Sequence, residues 1–312
     1  MSRHLPILAV QAPSIVGDLD ASYAKFERDL RRLMVAYPQT RLLVWPELYL
    51  SGEGSMGDII PIEDAAHAGA AHPIPGPLTD RLCGLARELG VWLVPGSIHE
   101  RGKDGRIYNT ALAISPDGRL AARYRKLFLW RPWEQSAPGS DFVVFDIDGV
   151  GRVGLAICYD LWFPEVARNL AWLGAEVLII PTGTPTIDRD QEVVLARATA
   201  IANQVFVVNV NQGDRPGPGR SVIVDPEGRV LQQAGDNEEY LSCVLDFDAV
   251  ASVREYGTSA MSRMWDLLDE EGGLFELPMY GGRIRPRHAV GQPGEPASGN
   301  GREPSRPITT RA

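Results

Sequence analysis

The chain contains 312 residues, of which 44% are hydrophobic and 23% are charged. A chain of this length forms one large domain or two modest ones, and its composition excludes global disorder and fibrous structure. The formal net charge is −9 at pH 7, which argues against nucleic-acid binding because that function requires concentrated Lys and Arg.

The sequence also indicates where the protein works. No apolar run approaches the roughly 20 residues that a membrane-spanning helix needs, and the apolar stretch near the N-terminus is too short for a secretion signal. The three cysteines, Cys83, Cys158 and Cys243, cannot all pair and match no metal-binding spacing. We therefore expect a cytoplasmic enzyme that contacts neither membranes nor nucleic acid.

Short apolar runs rich in Val, Ile and Leu alternate with helical patterns over residues 1–282. Because the runs are almost continuously apolar, they are typical of strands covered on both faces. The predicted strands are Leu5–Gln11, Arg41–Trp45, Val91–Ser97, Val153–Cys158, Glu176–Pro181 and Val205–Asn211. The helical patterns that separate them cover 20–36, 77–90, 164–174 and 189–203.

Two further segments, Asn109–Lys126 and Ser221–Gln232, predict β-hairpins. Each centres on a proline followed by an acidic residue and a glycine. Proline presets φ for the turn and glycine tolerates a positive φ. With the alternating strands and helices, these hairpins predict an α/β protein with one mixed sheet or a pair of sheets.

The C-terminal segment 283–312 differs from the rest of the chain. It holds six Arg against two Glu, with five Pro and four Gly. Such a segment buries too little apolar surface to offset its ordering entropy. We expect a main domain at 1–282 and a tail at 283–312 that is disordered or ordered only against a partner subunit.

Acidic residues and histidines cluster in one stretch: Glu63, Asp64, His67 and His72. Their spacing fits no established ligand pattern. We interpret the stretch as a solvated segment and expect no metal site.

Three segments share one design, in which the end of a predicted strand delivers a reactive side chain. The first ends at Glu47 after a proline, the second at Lys126 among aromatic residues, and the third at Cys158. A helix is predicted to begin near Pro164, so Cys158 lies at a strand-to-helix bend. Backbone N–H groups at such a bend can hold an oxyanion, and the helix dipole favours a thiolate.

These segments, Trp45-Pro-Glu47, Tyr124-Arg-Lys126 and Cys158-Tyr-Asp160, resemble the motifs of the nitrilase, or carbon–nitrogen hydrolase, superfamily. The likeness extends through nearly all of 5–250, and the motifs occur in the family's order and approximate spacing. The resemblance implies a four-layer αββα sandwich with two mixed sheets that dimerises through helices. It also implies a small-molecule amide or ureido substrate and no metal or organic cofactor.

The resemblance assigns roles by position. Glu47 matches the general base, Lys126 the catalytic lysine and Cys158 the nucleophile, while Glu134 matches a second glutamate that positions the lysine and the substrate. The backbone N–H of Tyr159 is expected to assist Lys126 in stabilising an oxyanion.

Each of these residues also has a structural interpretation. Cys158 alone would be an inert core thiol, Glu47 a helix or loop cap, and Lys126 a solvated strand end. A salt bridge alone would explain Glu134. The common placement of the three motifs at strand ends favours the catalytic interpretation.

The residues after the nucleophile bear on the substrate. Tyr159-Asp160 stands where true nitrilases commonly have Trp-Glu, which is similar to the amidase and carbamoyl-hydrolase branches and favours a carbonyl substrate over a nitrile. Trp130, Trp133 and Trp162 lie near the motifs and are candidates to line an apolar pocket, with core packing as the alternative.

The leading hypothesis is thus a hydrolase of small carboxamides that works through a Cys158 thioester. The alternatives are an N-carbamoyl hydrolase, a nitrilase, an acyltransferase that uses the same thioester, and a scaffold that keeps the fold without activity. The same resemblance implies a homodimer or higher homo-oligomer.

Overall fold

The computed structural model describes residues 2–15, 18–51, 71–213 and 218–283. The predicted tail lies outside these residues except for Arg283, and so do Glu63, Asp64 and His67. The strands are β1 His4–Gln11, β2 Leu42–Val44, β3 Trp92–Val94, β4 Ser97–Arg101, β5 Ile107–Ile114, β6 Leu120–Arg125, β7 Val143–Ile147, β8 Gly151–Leu155, β9 Val177–Pro181, β10 Phe206–Val210, β11 Val222–Val224, β12 Val230–Gln233 and β13 Glu239–Asp246. The α-helices are α1 Leu19–Ala36, α2 Pro77–Leu89, α3 Pro164–Trp172, α4 Arg189–Asn203, α5 Phe247–Tyr256 and α6 Met264–Glu270.

The strands form two mixed sheets. The first has the order β13-β1-β2-β3-β5-β4, with β6 also paired to β5, and the second has the order β12-β11-β10-β9-β8-β7. In each sheet three neighbouring strands run parallel, β1-β2-β3 in the first and β8-β9-β10 in the second. Antiparallel hairpin strands complete both sheets.

Two hydrophobic clusters explain why the sheets stack. One cluster lies between them and is built from inward-facing side chains of both, such as Ile7 and Val44 from the first sheet and Leu155 and Ile179 from the second. The other lies between the outer face of the first sheet and helices α1 and α2. Helices α3 and α4 contact β8 and β10 of the second sheet. The predicted four-layer αββα sandwich is confirmed, and dimerisation through its helices stays a prediction.

Most predicted elements form close to their predicted bounds, but the strand predicted at Val91–Ser97 is wrong. The chain turns at Gly96, whose φ is +84°, and divides this run into β3 and β4. A Cβ on Gly96 would lie 1.8 Å from the carbonyl oxygen of Pro46. Glycine is therefore required here both for the turn and for the close approach of the Trp45-Pro-Glu47 segment.

The topology places several strand ends together. Strand β2 is parallel to β3, β3 is antiparallel to β5, and β5 is antiparallel to β6. Strand β6 therefore runs in the same direction as β2. Both strands therefore end at the same edge of the first sheet, and β8 and β9 end together in the second. Glu47, Lys126 and Cys158 follow β2, β6 and β8, so the fold brings them to the strand ends.

The chain falls into two compact units, the second of which begins at Arg263 and contains α6. The predicted extent of the main domain, 1–282, stays a prediction. Among the described residues, no helix combines the length and apolar character that crossing a bilayer requires.

Candidate active site

Glu47 is a buried carboxylate fixed through its own backbone. It follows β2 after a proline and is only 6% exposed. Its N–H donates to the carbonyl of Thr182 across 3.2 Å, and its carbonyl accepts from Nε2 of Gln212 at 3.0 Å. Because Thr182 and Gln212 follow β9 and β10 of the second sheet, these bonds tie Glu47 to the sheet that carries Cys158.

Lys126 joins two carboxylates inside the protein. Its Nζ lies 2.9 Å from Oε1 of Glu47 and 2.7 Å from Oε2 of Glu134, and the lysine is 2% exposed. Nδ2 of Asn109 donates to the same two carboxylates, at 2.8 Å to Glu47 and 3.0 Å to Glu134. Asn109 lies near the start of β5, and its carbonyl accepts from the N–H of Lys126. One lysine and one amide therefore bridge the two acids.

The charges of this cluster perturb one another. Burial lowers the affinity of Lys126 for its proton, but the attraction of Glu134 and Glu47 outweighs it and holds the lysine pKa well above its ordinary value. Burial raises the pKa of Glu47, and neighbouring Glu134 adds to the rise, while Lys126 opposes it. Because Lys126 is shared between two acids, it compensates Glu47 only in part. Glu47 is thus a stronger base than an exposed glutamate.

Cys158 sits at the predicted bend in a strained backbone conformation. Its φ is +46°, a region that residues other than glycine seldom adopt. It opens a 3-10 turn, Cys158–Trp162, which precedes α3. The bend points a side chain out of the end of β8, as a strand-to-helix nucleophile turn does.

Buried Asp160 clamps this bend to the lysine segment. Its Oδ2 accepts from the N–H of Ile157 at 2.9 Å and from the hydroxyl of Tyr124 at 2.7 Å. Its Oδ1 accepts from the N–H of Phe128 at 2.9 Å. Burial raises the pKa of Asp160 to about 6, although all three donors favour the carboxylate. The clamp fixes Cys158 relative to Lys126.

The surroundings of the Cys158 sulfur favour its protonated form. Burial raises the pKa of Cys158 well above its ordinary value, and the charge of Glu47 raises it further, while Lys126 and the N–H of Gly183 oppose the rise. Helix α3 begins at Pro164 as predicted, and a 3-10 turn separates it from the sulfur; the expected effect of its dipole on the thiolate stays a prediction. The Cys158 side chain in turn lowers the pKa of Glu47, although it does not cancel the effect of burial. The acid that can take the proton is therefore close enough to the sulfur for each group to shift the pKa of the other.

The structure thus brings together all four predicted side chains, Glu47, Lys126, Glu134 and Cys158. Residues 8–255 match the sequence profile of a family described as carbon-nitrogen hydrolase. The chain belongs to the carbon-nitrogen hydrolase family. The predicted membership of the nitrilase superfamily and the predicted class of enzyme, a hydrolase of carbon–nitrogen bonds, are both confirmed.

The chain is also similar in sequence and structure to individual amidases and nitrilase-superfamily proteins. An (R)-stereoselective amidase from Pseudomonas sp. is 38% identical over 248 residues, which cover 76% of this chain and 84% of the relative. The crystal structure of Saccharomyces cerevisiae Nit3, a member of branch 10 of the nitrilase superfamily, matches with a TM-score of 0.73 at 29% identity and covers 82% of this chain and 94% of that chain. An amidase from Nesterenkonia sp. matches with a TM-score of 0.65 at 26% identity and covers 85% of this chain and 97% of that chain. That structure, of a Glu-to-Gln variant, shows covalent addition of the acetamide moiety of fluoroacetamide at the active-site cysteine.

The three tryptophans predicted to line a pocket of this carbon-nitrogen hydrolase have different surroundings. Trp130 and Trp133 pack on each other with ring centroids 6.3 Å apart, and Trp133 is 43% exposed. Trp162 is half-buried and donates from Nε1 to Glu192 at 3.3 Å. The backbone N–H of Tyr159 directly follows Cys158. The assigned roles of these residues in binding substrate or an oxyanion stay predictions.

Several residues that surround the four side chains of this carbon-nitrogen hydrolase were not predicted from the sequence. They are Asn109, Asp160, Gly183, Thr184 and Glu192. A signal existed for Gly183 and Thr184, since they follow the buried strand β9, whose parallel neighbour β8 ends three residues before Cys158. No sequence pattern pointed to Glu192, which reaches the site from α4.

Metal ligands do not gather at this site. Within the described ranges, no group of three or more His, Cys, Asp or Glu side chains is arranged to hold a metal ion. His72, the described member of the acidic and histidine stretch, forms a β-bridge with Glu100.

Proposed function

We propose that the protein hydrolyses small carboxamides through a thioester on Cys158. The observation that carries the proposal is the grouping of a thiol, a carboxylate of raised pKa and an ammonium at one site: Glu47 and Lys126 lie 2.9 Å apart, and both shift the pKa of Cys158. A thiol in contact with a general base is the arrangement required for covalent acyl transfer. The amidase relatives and the cysteine adduct of the Nesterenkonia amidase support this choice.

In the first half-reaction, Cys158 attacks the amide carbon while its proton passes to Glu47. The ammonium of Lys126 has three N–H donors. Two of them point to Glu47 and Glu134, and the third is free in our proposal to bind the developing oxyanion with the N–H of Tyr159. Glu47 then returns its proton to the nitrogen, the C–N bond breaks, and ammonia or an amine leaves.

In the second half-reaction, Glu47 takes a proton from water, which attacks the thioester carbon. The C–S bond breaks and the sulfur recovers a proton from Glu47, so the acid product leaves and the site returns to its resting state. Glu134 and Asn109 hold Lys126 and Glu47 in place throughout.

The direct test is Cys158→Ala with a panel of amides, ureido acids and nitriles. We expect the variant to lose turnover while its circular dichroism and melting temperature stay those of the wild type. In the wild type, mass spectrometry should detect an acyl group on Cys158 with a poor amide substrate. Unchanged turnover in the variant would contradict the mechanism.

The same panel separates the remaining alternatives. Carbon dioxide from ureido acids would indicate an N-carbamoyl hydrolase, acid from nitriles a nitrilase, and transfer product without free acid an acyltransferase.

A further inference from the structure

A second polar network touches Cys158 through Thr184. The hydroxyl of Thr184 lies 3.5 Å from the sulfur. The same hydroxyl lies 2.8 Å from Oε1 of Glu192, and Nη1 of Arg189 lies 2.9 Å from Oε2 of Glu192. Arg189 and Glu192 are 1% and 2% exposed. The proposed mechanism does not use this network.

Proton counting fixes the direction of these hydrogen bonds. A threonine hydroxyl has one proton, and an ionised carboxylate only accepts. Arg189 donates to Oε2 of Glu192, and the Thr184 hydroxyl donates to Oε1 of the same carboxylate, so the Thr184 proton points to Glu192. The oxygen of Thr184 therefore turns a lone pair towards the Cys158 sulfur.

We propose that Glu192 acts through Thr184 to keep resting Cys158 in its thiol form until Glu47 removes the proton. This proposal rests on the thiol role given to Cys158 in the proposed function. A lone pair facing the sulfur repels a thiolate, whereas a hydroxyl proton facing it would stabilise one. Thr184 and Glu192 are thus positioning residues that prevent a free thiolate from accumulating before the amide is in place.

Every charged group that faces the sulfur enters this balance. Glu47, on the segment after β2, and Glu192, on α4, both disfavour the thiolate, and Lys126, after β6, favours it. Arg189, also on α4, interacts electrostatically with Cys158. A test must therefore separate the negative charge of Glu192 from its control of the Thr184 proton.

Substituting Glu192 both in the wild type and in a Thr184→Val variant separates these two effects. Glu192→Gln removes the charge. With the new amide oxygen facing Arg189, which only donates, the NH₂ group faces both the Thr184 hydroxyl and the Nε1 donor of Trp162. Glu192→Asp keeps the charge but is one methylene shorter and falls out of reach of Thr184. Both changes release the Thr184 proton towards the sulfur. In the Thr184→Val background there is no hydroxyl, so only the change in charge remains.

The measurement is the labelling rate of Cys158 by methyl methanethiosulfonate between pH 6 and 9, followed by mass spectrometry of the full chain. With Thr184 present, we expect each Glu192 variant to label at pH 7.5 about tenfold faster than the wild type, as one charge-assisted hydrogen bond to the thiolate predicts. In the Thr184→Val background, Glu192→Asp should change labelling by less than about twofold.

Half-buried Cys83 and Cys243 provide internal controls, since their labelling should not change. Thr184→Ser, which keeps the hydroxyl, should respond to Glu192→Asp as the wild type does. Equal effects of the Glu192 changes with and without the hydroxyl, or no effect at all, would overturn the proposal. If Glu192→Gln unfolds, Glu192→Asp decides alone. Labelling does not depend on turnover, so amidase activity in Cys158→Ala would refute the proposed function without deciding this point.

Discussion

Replacing Lys126 by methionine should reveal how much of the stability depends on the buried charge cluster. The substitution keeps the volume of the side chain but leaves the carboxylates of Glu47 and Glu134 facing each other without the ammonium between them. Removing one partner of a buried ion pair costs about 3–5 kcal/mol of unfolding free energy. We expect a loss of this size at pH 8, together with loss of amide turnover.

The loss should depend on pH with a defined sign. Without Lys126 the pKa of Glu47, already above its ordinary 4.5, rises further in the folded state, while that of the unfolded chain does not change. The native variant then binds more protons than the unfolded chain, so its stability falls as pH rises from the unfolded pKa through the folded one. The slope reaches about 1.4 kcal/mol per pH unit. Lowering the pH towards the unfolded-state pKa should therefore recover part of the loss.

Urea unfolding at pH 6, 7 and 8, at one protein concentration, measures both effects. Adding Glu134→Gln should restore part of the stability of Lys126→Met, because it removes one uncompensated charge. Lys25→Met is the matched control. Lys25 is partly buried and bonded to Asp29, but after its removal Asp29 still has Arg32 within 3.7 Å as a positive partner. A Lys126→Met variant within about 1 kcal/mol of the wild type at pH 8, with the same pH slope, would refute the reasoning.

Three further predictions concern pH and two glycines. The acid limb of kcat/KM should lie above pH 4.5, because Glu47 must be ionised and burial raises its pKa; a limb at or below 4.5 would contradict this. Gly183→Ala should lower kcat/KM about tenfold, since its Cβ would lie 3.2 Å from Oε2 of Glu47. Gly84→Ala, inside α2 with no atom within 4 Å of the new Cβ, should leave kcat/KM unchanged and stabilise the protein by about 0.5–1 kcal/mol in thermal or urea unfolding. Equal kinetic effects of the two glycine changes would argue against crowding of Glu47.

Local patterns in the sequence determined the elements that carry the predicted site. Buried strands such as β1 and β9 were predicted because both faces are covered, which makes the run continuously apolar. Strand β13 was missed because it mixes buried and exposed positions. Turn chemistry predicted the hairpin that ends at Lys126.

The sequence by itself determined which reactive side chains stand at the strand ends, because strand bounds and residue types are local properties. Only the tertiary structure decided their chemical state. Burial raises the pKa of Cys158, which favours the thiol, and raises that of Glu47, which makes it a stronger base. Desolvation and charge coupling depend on every element packed around a group. Glu192, for example, lies 34 positions after Cys158 in the chain and reaches it from α4 through Thr184. No local pattern carries that information.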